Sequence, residues 1–252
     1  MVIPELVAHR GYAAHYPENT LIGIEAAIQS GARYVEVDVQ LSADKAPVLF
    51  HDRDLKRVCG VQGGVHEFTL EQLRRFHAYE FDRFGYKFAN TPIATVAELC
   101  ELLRRHPRVT AFIEVKQESL DQFGIAVTLE HIASELHPIA KQCVLISFSN
   151  ELLLTARKAQ TKGWYALGAV VEKWREHKRD IIQAIKPEYL FCDVRGLPWF
   201  GRLHLDTAQL VVYEITDTGL ALRLAERGTA LIETFAVGEM LAEFELIRGA
   251  AA

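Results

Sequence analysis

Short apolar runs recur along this chain of 252 residues, and most are followed by a helical pattern. Leu6-Val7-Ala8 precedes a helix-like stretch from about Thr20 to Gln29. Tyr34 to Leu41 reads as a strand, with Pro47 to Phe50 as a short extended piece beside it. Leucines at helical spacing mark Thr95 to Arg105. Ala111 to Lys116 is a strand, and Asp121 to Leu136 an amphipathic helix. Val144 to Phe148 and Glu151 to Thr161 form the next strand–helix pair. Leu167 to Val171, Tyr189 to Asp193, Leu210 to Ile215 and Ala230 to Thr234 complete the strands. Further helices are expected near Arg175 to Ile185, Thr218 to Arg227 and Val237 to Ile247. About eight βα units imply a parallel sheet covered by helices. The expected fold is therefore α/β, a closed TIM (β/α)8 barrel in preference to an open doubly wound sheet; such barrels typically run to ~250 residues.

One segment breaks the rhythm. Residues 52–92 carry Gly60, Gly63 and Gly64 together with Phe68, Phe76, Tyr79, Phe81, Phe84 and Tyr86. A short helix is expected from Thr69 to Phe76. The stretch exceeds an ordinary βα loop and reads as an insertion after the second strand region, a kind of feature that is often functional. With no repeat or linker in view, residues 1–252 are expected to form one barrel domain.

Charge and composition narrow the function. A net charge of −5 argues against nucleic-acid binding, which needs a basic face. A small anionic substrate needs only one local positive site, and a metal ion can supply it. Cys59, Cys100, Cys143 and Cys192 form no CxxC pair and read as free thiols in a reducing compartment. No basic-then-apolar leader opens the chain, and no apolar run approaches the ~20 residues of a transmembrane segment. A cytoplasmic location is the expectation, and oligomeric state stays open.

The chemistry is written on two strands. In Tyr34-Val35-Glu36-Val37-Asp38-Val39 the valines share one face and Glu36 and Asp38 the other. A buried parallel strand should be almost continuously apolar. Two neighbouring carboxylates facing inward would repel each other and be costly to desolvate. A lone pattern of this kind reads best as a solvated edge. Here Phe112-Ile113-Glu114-Val115-Lys116 repeats it, with Glu114 and Lys116 opposite Ile113 and Val115. If the two inner faces meet, Glu36, Asp38 and Glu114 make a three-carboxylate site for a divalent metal, Mg²⁺ or Ca²⁺, with Lys116 suited to a phosphate oxygen.

Two histidines stand where such a site needs them. His9 follows the first strand with Arg10 next, and His51 follows Val48-Leu49-Phe50 with Asp52 beside it. Both fall at C-terminal strand ends, the catalytic face of a barrel, where an imidazole can donate or accept a proton near neutrality. His15, His66, His77, His106, His131, His137, His177 and His204 have no such carboxylate pattern and read as loop or helix-face residues. Glu18-Asn19-Thr20 precedes the first helix, so Asn19 or Thr20 reads as an N-cap, compatible with a role in the site.

The combination resembles the glycerophosphodiester phosphodiesterase family. The resemblance rests on His9-Arg10-Gly11, Pro17-Glu18-Asn19-Thr20, Glu36-Val37-Asp38-Val39, His51-Asp52 and Ile113-Glu114-Val115-Lys116, in that order and register. It implies Glu36, Asp38 and Glu114 as metal ligands, His9 and His51 as the acid–base pair, and Arg10 and Lys116 as phosphate-binding residues. Ser147-Phe148 resembles a segment that lines the family's site, and the stretch after His51 resembles its insertion. The last third departs from the pattern: Tyr213-Glu214-Ile215-Thr216-Asp217 stands where a Trp-Thr-Val-Asn-like stretch is usual, and Glu233-Thr234 where Thr-Asp is. Tyr213 can still stack on a substrate, but Glu214 brings a carboxylate near the pocket, so the alcohol specificity does not carry over.

The implied reaction is metal-dependent hydrolysis of a small-molecule glycerophosphodiester to an alcohol and glycerol 3-phosphate. Which histidine is acid and which is base stays open, as does the choice of water or the glycerol 2-hydroxyl as nucleophile. A lysophospholipase D-like hydrolase is the alternative, with the aromatic residues of 52–92 forming an apolar surface around the pocket. A binding protein on a retained barrel would lack a site residue, and none is missing. An isomerase- or aldolase-like barrel would more often carry a late phosphate-binding glycine loop, and Gly219 and Gly228 are too isolated to make one.

Overall fold

A computed structural model describes residues 2–159 and 166–250. Eight parallel strands close on themselves: β1 (Glu5–Ala8), β2 (Tyr34–Leu41), β4 (Thr110–Val115), β5 (Cys143–Ser147), β6 (Ala166–Val171), β7 (Tyr189–Asp193), β8 (Gln209–Tyr213) and β9 (Leu231–Thr234). Closure comes from β1, which pairs in parallel with β2 on one side and β9 on the other. The remaining strand, β3 (Pro47–Leu49), runs antiparallel to β2 and turns the chain back toward the C-terminal end of the barrel. The expected TIM barrel is the observed fold.

The helices are α1 (Leu21–Gln29), α2 (Lys56–Cys59), α3 (Leu70–Leu73), α4 (Phe81–Phe84), α5 (Val96–Arg104), α6 (Gln117–Phe123), α7 (Ile125–Leu136), α8 (Asn150–Lys158), α9 (Asp180–Ile185), α10 (Thr218–Arg227) and α11 (Val237–Ala250). Their starts follow from local chemistry. Thr95 accepts from the Glu98 N–H while the Glu98 carboxylate accepts from the Thr95 N–H, a capping box that opens α5. The single helix expected from Asp121 to Leu136 is two helices, α6 and α7, because Gly124 sits between them at φ 79° and cannot continue either. The helix expected at Arg175 shortens to α9, with 3₁₀ geometry over Trp174–Lys178. The short helix expected from Thr69 to Phe76 is confined to α3. The expected end of the helix at Thr161 lies outside the described residues.

Strand alternation divides the core in two. Val35, Val37, Val39, Ile113 and Val115 face outward beneath the helices. Inside the barrel, Val7, Phe112, Val144, Ile146, Val170, Phe191, Val211 and Leu231 form a second apolar cluster. Phe112 is its centre, meeting Tyr189 and Phe191 edge-on with ring centroids 5.0 Å from each. One strand step further toward the C-terminal end, the interior turns ionic. The apolar plug therefore forms the floor on which the site is built.

Residues 52–92 fold over that end with a core of their own: Leu55, Val58, Cys59, Val65, Leu73 and Ala78 pack with Val48, Phe50 and Ile93. All four cysteines are buried and unbridged, as expected. Among the described residues, no helix is long and apolar enough to cross a membrane. Phe112→Ala should hollow out the barrel floor and cost about 3–5 kcal/mol of unfolding free energy, measured by urea denaturation.

Candidate active site

Strand register brings the acidic residues together. Asp38 on β2 lies directly beside Glu114 on β4, with Glu36 two positions below Asp38 on the same inward face. Each offers one oxygen, and these oxygens lie within 4.8 Å of one another. Glu36 and Asp38 are each 1% exposed. The expectation of charged inner faces meeting across neighbouring strands holds.

What surrounds each carboxylate differs, and so does its proton affinity. Burial opposes ionisation of Asp38, but Arg10 and then Lys116 outweigh it and hold the carboxyl well below its usual range. The Arg10 Nε lies 3.1 Å and the Lys116 Nζ 3.3 Å from it. Asn19 completes this environment, donating its amide N–H to Asp38 at 2.9 Å and accepting the Asp38 backbone N–H at 3.0 Å. Glu36 accepts the Arg10 backbone N–H at 3.1 Å through one oxygen, while its other oxygen is buried with no hydrogen-bond partner among the described residues. Burial, then Asp38, Glu233 and Glu114, push the Glu36 carboxyl well above its usual range. Burial and Asp38 raise Glu114 too, against the Lys116 ammonium 2.8 Å away. Hard oxygen donors, one of them unpartnered, converging with surplus negative charge fit a divalent cation.

The histidines flank this cluster. His9 takes its place from the β1–β9 pairing, its N–H donating to the Thr234 carbonyl at 2.9 Å. Its ring stacks on Phe235 at 4.5 Å. Burial, then Arg10, hold the imidazole well below its usual range, so it is neutral at pH 7. His51 arrives by the β3 return: the Phe50 N–H donates to the Asp38 carbonyl at 3.0 Å, and the Gln40 amide donates to the carbonyls of Phe50, His51 and Asp52. Its Nδ1–H donates to Asp52 at 2.8 Å, which leaves Nε2 for the pocket.

A cavity of about 120 Å³ joins these groups, lined by His9, Arg10, His51, Glu114, Lys116, Phe148, Tyr213, Glu214 and Glu233 among others. All seven residues singled out from the sequence line it or lie directly beneath. The cap reading of Glu18-Asn19-Thr20 resolves residue by residue. Thr20 caps α1 by accepting the Gly23 N–H, Asn19 serves Asp38, and Glu18 accepts from Arg10. Arg10, Asn19 and Glu214 all adopt left-handed backbone conformations, at φ 54°, 55° and 63°, a cost that concentrates at functional sites. Ser147 is occupied structurally, donating to the Val115 carbonyl, while Phe148 supplies the exposed wall. Of the other histidines, His15 meets Glu239 on α11 and His204 meets Asp206 at 3.2 Å, and neither lines the pocket.

Sequence reasoning missed Arg57 and Glu80, and read Glu233 only as a departure. Arg57 makes forked contacts to Asp52 and Glu18, and Glu80 accepts the Glu18 N–H at 2.7 Å. Glu233 is 4% exposed, faces His9 Nδ1 at 4.0 Å and keeps one oxygen unpartnered. Its inward alternation on β9, in step with Leu231, is the signal that could have found it.

Fold and site together define a TIM barrel whose C-terminal mouth holds three convergent carboxylates, the two cations Arg10 and Lys116, and two histidines. The profile of the glycerophosphoryl diester phosphodiesterase family matches residues 9–197, and the chain belongs to that family. It is 30% identical over 187 residues to a glycerophosphodiester phosphodiesterase of Caldanaerobacter subterraneus, covering 73% of this chain and 75% of that protein. It is 31% identical over 156 residues to glycerophosphodiester phosphodiesterase 1 of Mus musculus, covering 62% of this chain but 46% of the mouse protein, less than half its length. In structure it resembles an Oleispira antarctica phosphodiesterase solved with the product sn-glycerol-3-phosphate, with TM-score 0.81, 24% identity and 96% and 97% of the two chains covered. The Thermotoga maritima glycerophosphodiester phosphodiesterase is similar too, with TM-score 0.68, 23% identity and 95% and 97% covered. At these identities the structural likeness is one of fold.

Glu233 gives a direct test of the electrostatics. Its folded-state pKa lies well above 4.5, raised by burial and then by Glu114, so the group costs stability increasingly as pH rises from 4.5 toward the folded value. In chelator, Glu233→Gln should therefore be more stable than the parent to urea at pH 8, with the difference shrinking toward pH 5. Lower stability of the variant at pH 8 would contradict this account.

Proposed function

We propose that the chain hydrolyses glycerophosphodiesters to an alcohol and glycerol 3-phosphate, using a divalent metal held by Glu36, Asp38 and Glu114. The observation that carries this reading is the convergence of those three carboxylates beside Arg10, Lys116, His9 and His51 in one cavity. The ligand set is all oxygen, which favours Mg²⁺ or Ca²⁺. When bound, such an ion supplies charge neutralisation at the phosphate and orientation of the reacting oxygens.

The chain's own residues do the rest. Arg10 and Lys116 face the phosphate and stabilise charge that develops on its oxygens. The Lys116 ammonium stays protonated because Asp38 and Glu114 outweigh its burial. His9, held neutral, accepts the proton of the attacking hydroxyl. In its imidazolium form, with the Nδ1–H held by Asp52, His51 donates the Nε2 proton to the leaving alcohol and returns to the Nδ1–H tautomer. Phe148, Tyr213 and Glu214 line the same cavity. The Tyr213 hydroxyl donates to the Val171 carbonyl at 3.1 Å, which fixes the ring as a wall.

The lipid alternative draws little on the insertion: Phe68 packs on Phe76 and Phe84 on Phe88, which leaves Phe81 and Tyr86 as its exposed aromatics. The four unbridged thiols suit a reducing, cytoplasmic setting, and residues 1–252 are proposed as one barrel domain carrying the insertion.

Incubation with glycerophosphocholine, glycerophosphoethanolamine and lysophosphatidylcholine tests the reaction. Alcohol release from the two glycerophosphodiesters should require Mg²⁺ or Ca²⁺ and stop in chelator; no release under any metal would overturn the reading. His9→Ala and His51→Ala should each lower kcat by about 10²–10⁴-fold with the fold intact, and near-normal rates in both would remove the acid–base assignment.

Metal binding has its own signature. The raised pKa values of Glu36 and Glu114 mean that these carboxyls hold protons to higher pH in the metal-free protein. Ligation needs the carboxylates, so Mg²⁺ binding should release protons and tighten as pH rises. Calorimetry at pH 5 in two buffers of different ionisation enthalpy reads this directly, and the absence of proton release there would contradict it.

A further inference from the structure

We infer that Arg57, supplied by the insertion, is a positioning residue that holds the Asp52–His51 pair in register with Glu18 and Arg10. The inference rests on the proposed role of His51. Four short contacts carry it. Arg57 donates to Asp52 from Nε at 2.6 Å and from Nη2 at 2.8 Å, and to Glu18 from Nη1 at 3.0 Å and Nη2 at 2.7 Å. Both carboxylates are gripped by both of their oxygens. A third carboxylate, Glu80, lies 3.7 Å from Nη1, so the whole guanidinium is engaged.

Each gripped carboxylate has a second partner at the pocket. Asp52 accepts the His51 Nδ1–H at 2.8 Å. Glu18 accepts from Arg10 at 3.3 Å, and Arg10 is the cation against Asp38. One planar fork thus spans two loops of the barrel mouth and fixes the groups proposed to donate a proton and to bind the phosphate. Burial alone would raise the Asp52 carboxyl; the hydrogen bonds from His51 and Arg57 hold it well below its usual range, so it stays an acceptor.

The insertion is built to place this side chain. Arg57 sits on α2, whose Val58 and Cys59 are buried in the insertion's core together with Leu55 just before it. Gly60 ends the helix at φ 71°, a conformation that glycine adopts without cost. The apolar side of α2 is thereby locked while Arg57 points back to the barrel. Lysine cannot substitute, because a point ammonium cannot make two parallel forks.

The test is a double-mutant cycle on Arg57→Gln and Asp52→Asn, with Arg57→Lys as the conservative variant. Rates of ethanolamine release from glycerophosphoethanolamine with Mg²⁺ are read beside ¹⁵N-histidine NMR spectra, with the His51 signals assigned by their loss in His51→Gln. Arg57→Gln and Asp52→Asn should each lower kcat about 10–100-fold with KM nearly unchanged, the effect usual for groups that orient a functional histidine. Arg57→Lys should be as slow as Arg57→Gln. The double variant should be no slower than the slower single, because both changes break one chain of contacts. In the wild type the neutral His51 ring should be a single Nδ1-protonated tautomer, and in Arg57→Gln an exchanging mixture. Multiplying rate losses, full rescue by lysine, or an unchanged His51 spectrum in Arg57→Gln would each overturn the inference. The NMR reading needs no turnover: an inactive wild type would overturn the proposed reaction, and the His51 tautomer would still decide the role of Arg57.

Discussion

Four carboxylates at one end of a closed barrel set the terms for everything around them. Glu36, Asp38, Glu114 and Glu233 face the interior, where water cannot screen their repulsion. Two fixed cations, Arg10 and Lys116, stand against them, and His9 is neutral. The deficit shows in the raised proton affinities of Glu36, Glu114 and Glu233, while Asp38, which both cations approach, stays ionised. Protons carry the imbalance in the metal-free protein, and a divalent cation would carry it in the working one.

The rest of the structure makes that arrangement tolerable. The apolar plug around Phe112 keeps the charged layer at the mouth, where ligands can reach it. Loops at the strand ends bend into left-handed conformations to aim Arg10 and Asn19 at Asp38. The antiparallel return of β3 brings His51 to the level of Asp38 by one backbone hydrogen bond, and the Gln40 amide pins the turn that follows. The insertion then closes over this corner through charge as well as through its apolar contacts to Val48, Phe50 and Ile93: Arg57 reaches Glu18 and Asp52, and Arg83 reaches Glu80 and the Ala13 carbonyl.

What could be read from the sequence follows from the range of the physics involved. Alternation along a strand is local, so the barrel, the inward set of Glu36, Asp38 and Glu114, and the strand-end positions of His9 and His51 were all legible. Neighbouring β2 and β4 then needed only their register to unite the carboxylates. The break at Gly124 was also local, yet the amphipathic pattern runs through it and hid the two helices. Arg57 was not legible, because its partners lie 39 residues away at Glu18 and 5 away at Asp52, and an arginine in a loop carries no period. Glu233 lay in plain alternation on β9 but was read against the family's usual residues rather than by which way it points. The partner of His15, Glu239, is 224 residues distant, a contact that only chain closure creates.

A crystal of the protein soaked with Mn²⁺ and glycerol 3-phosphate tests the central claim most directly, because anomalous scattering locates the ion without reference to rate. The account predicts one anomalous peak bonded to oxygens of Glu36, Asp38 and Glu114, with the phosphate against Arg10 and Lys116 and between His9 and His51. A phosphate bound there with no ion on the three carboxylates, or an ion bound elsewhere in the mouth, would contradict it.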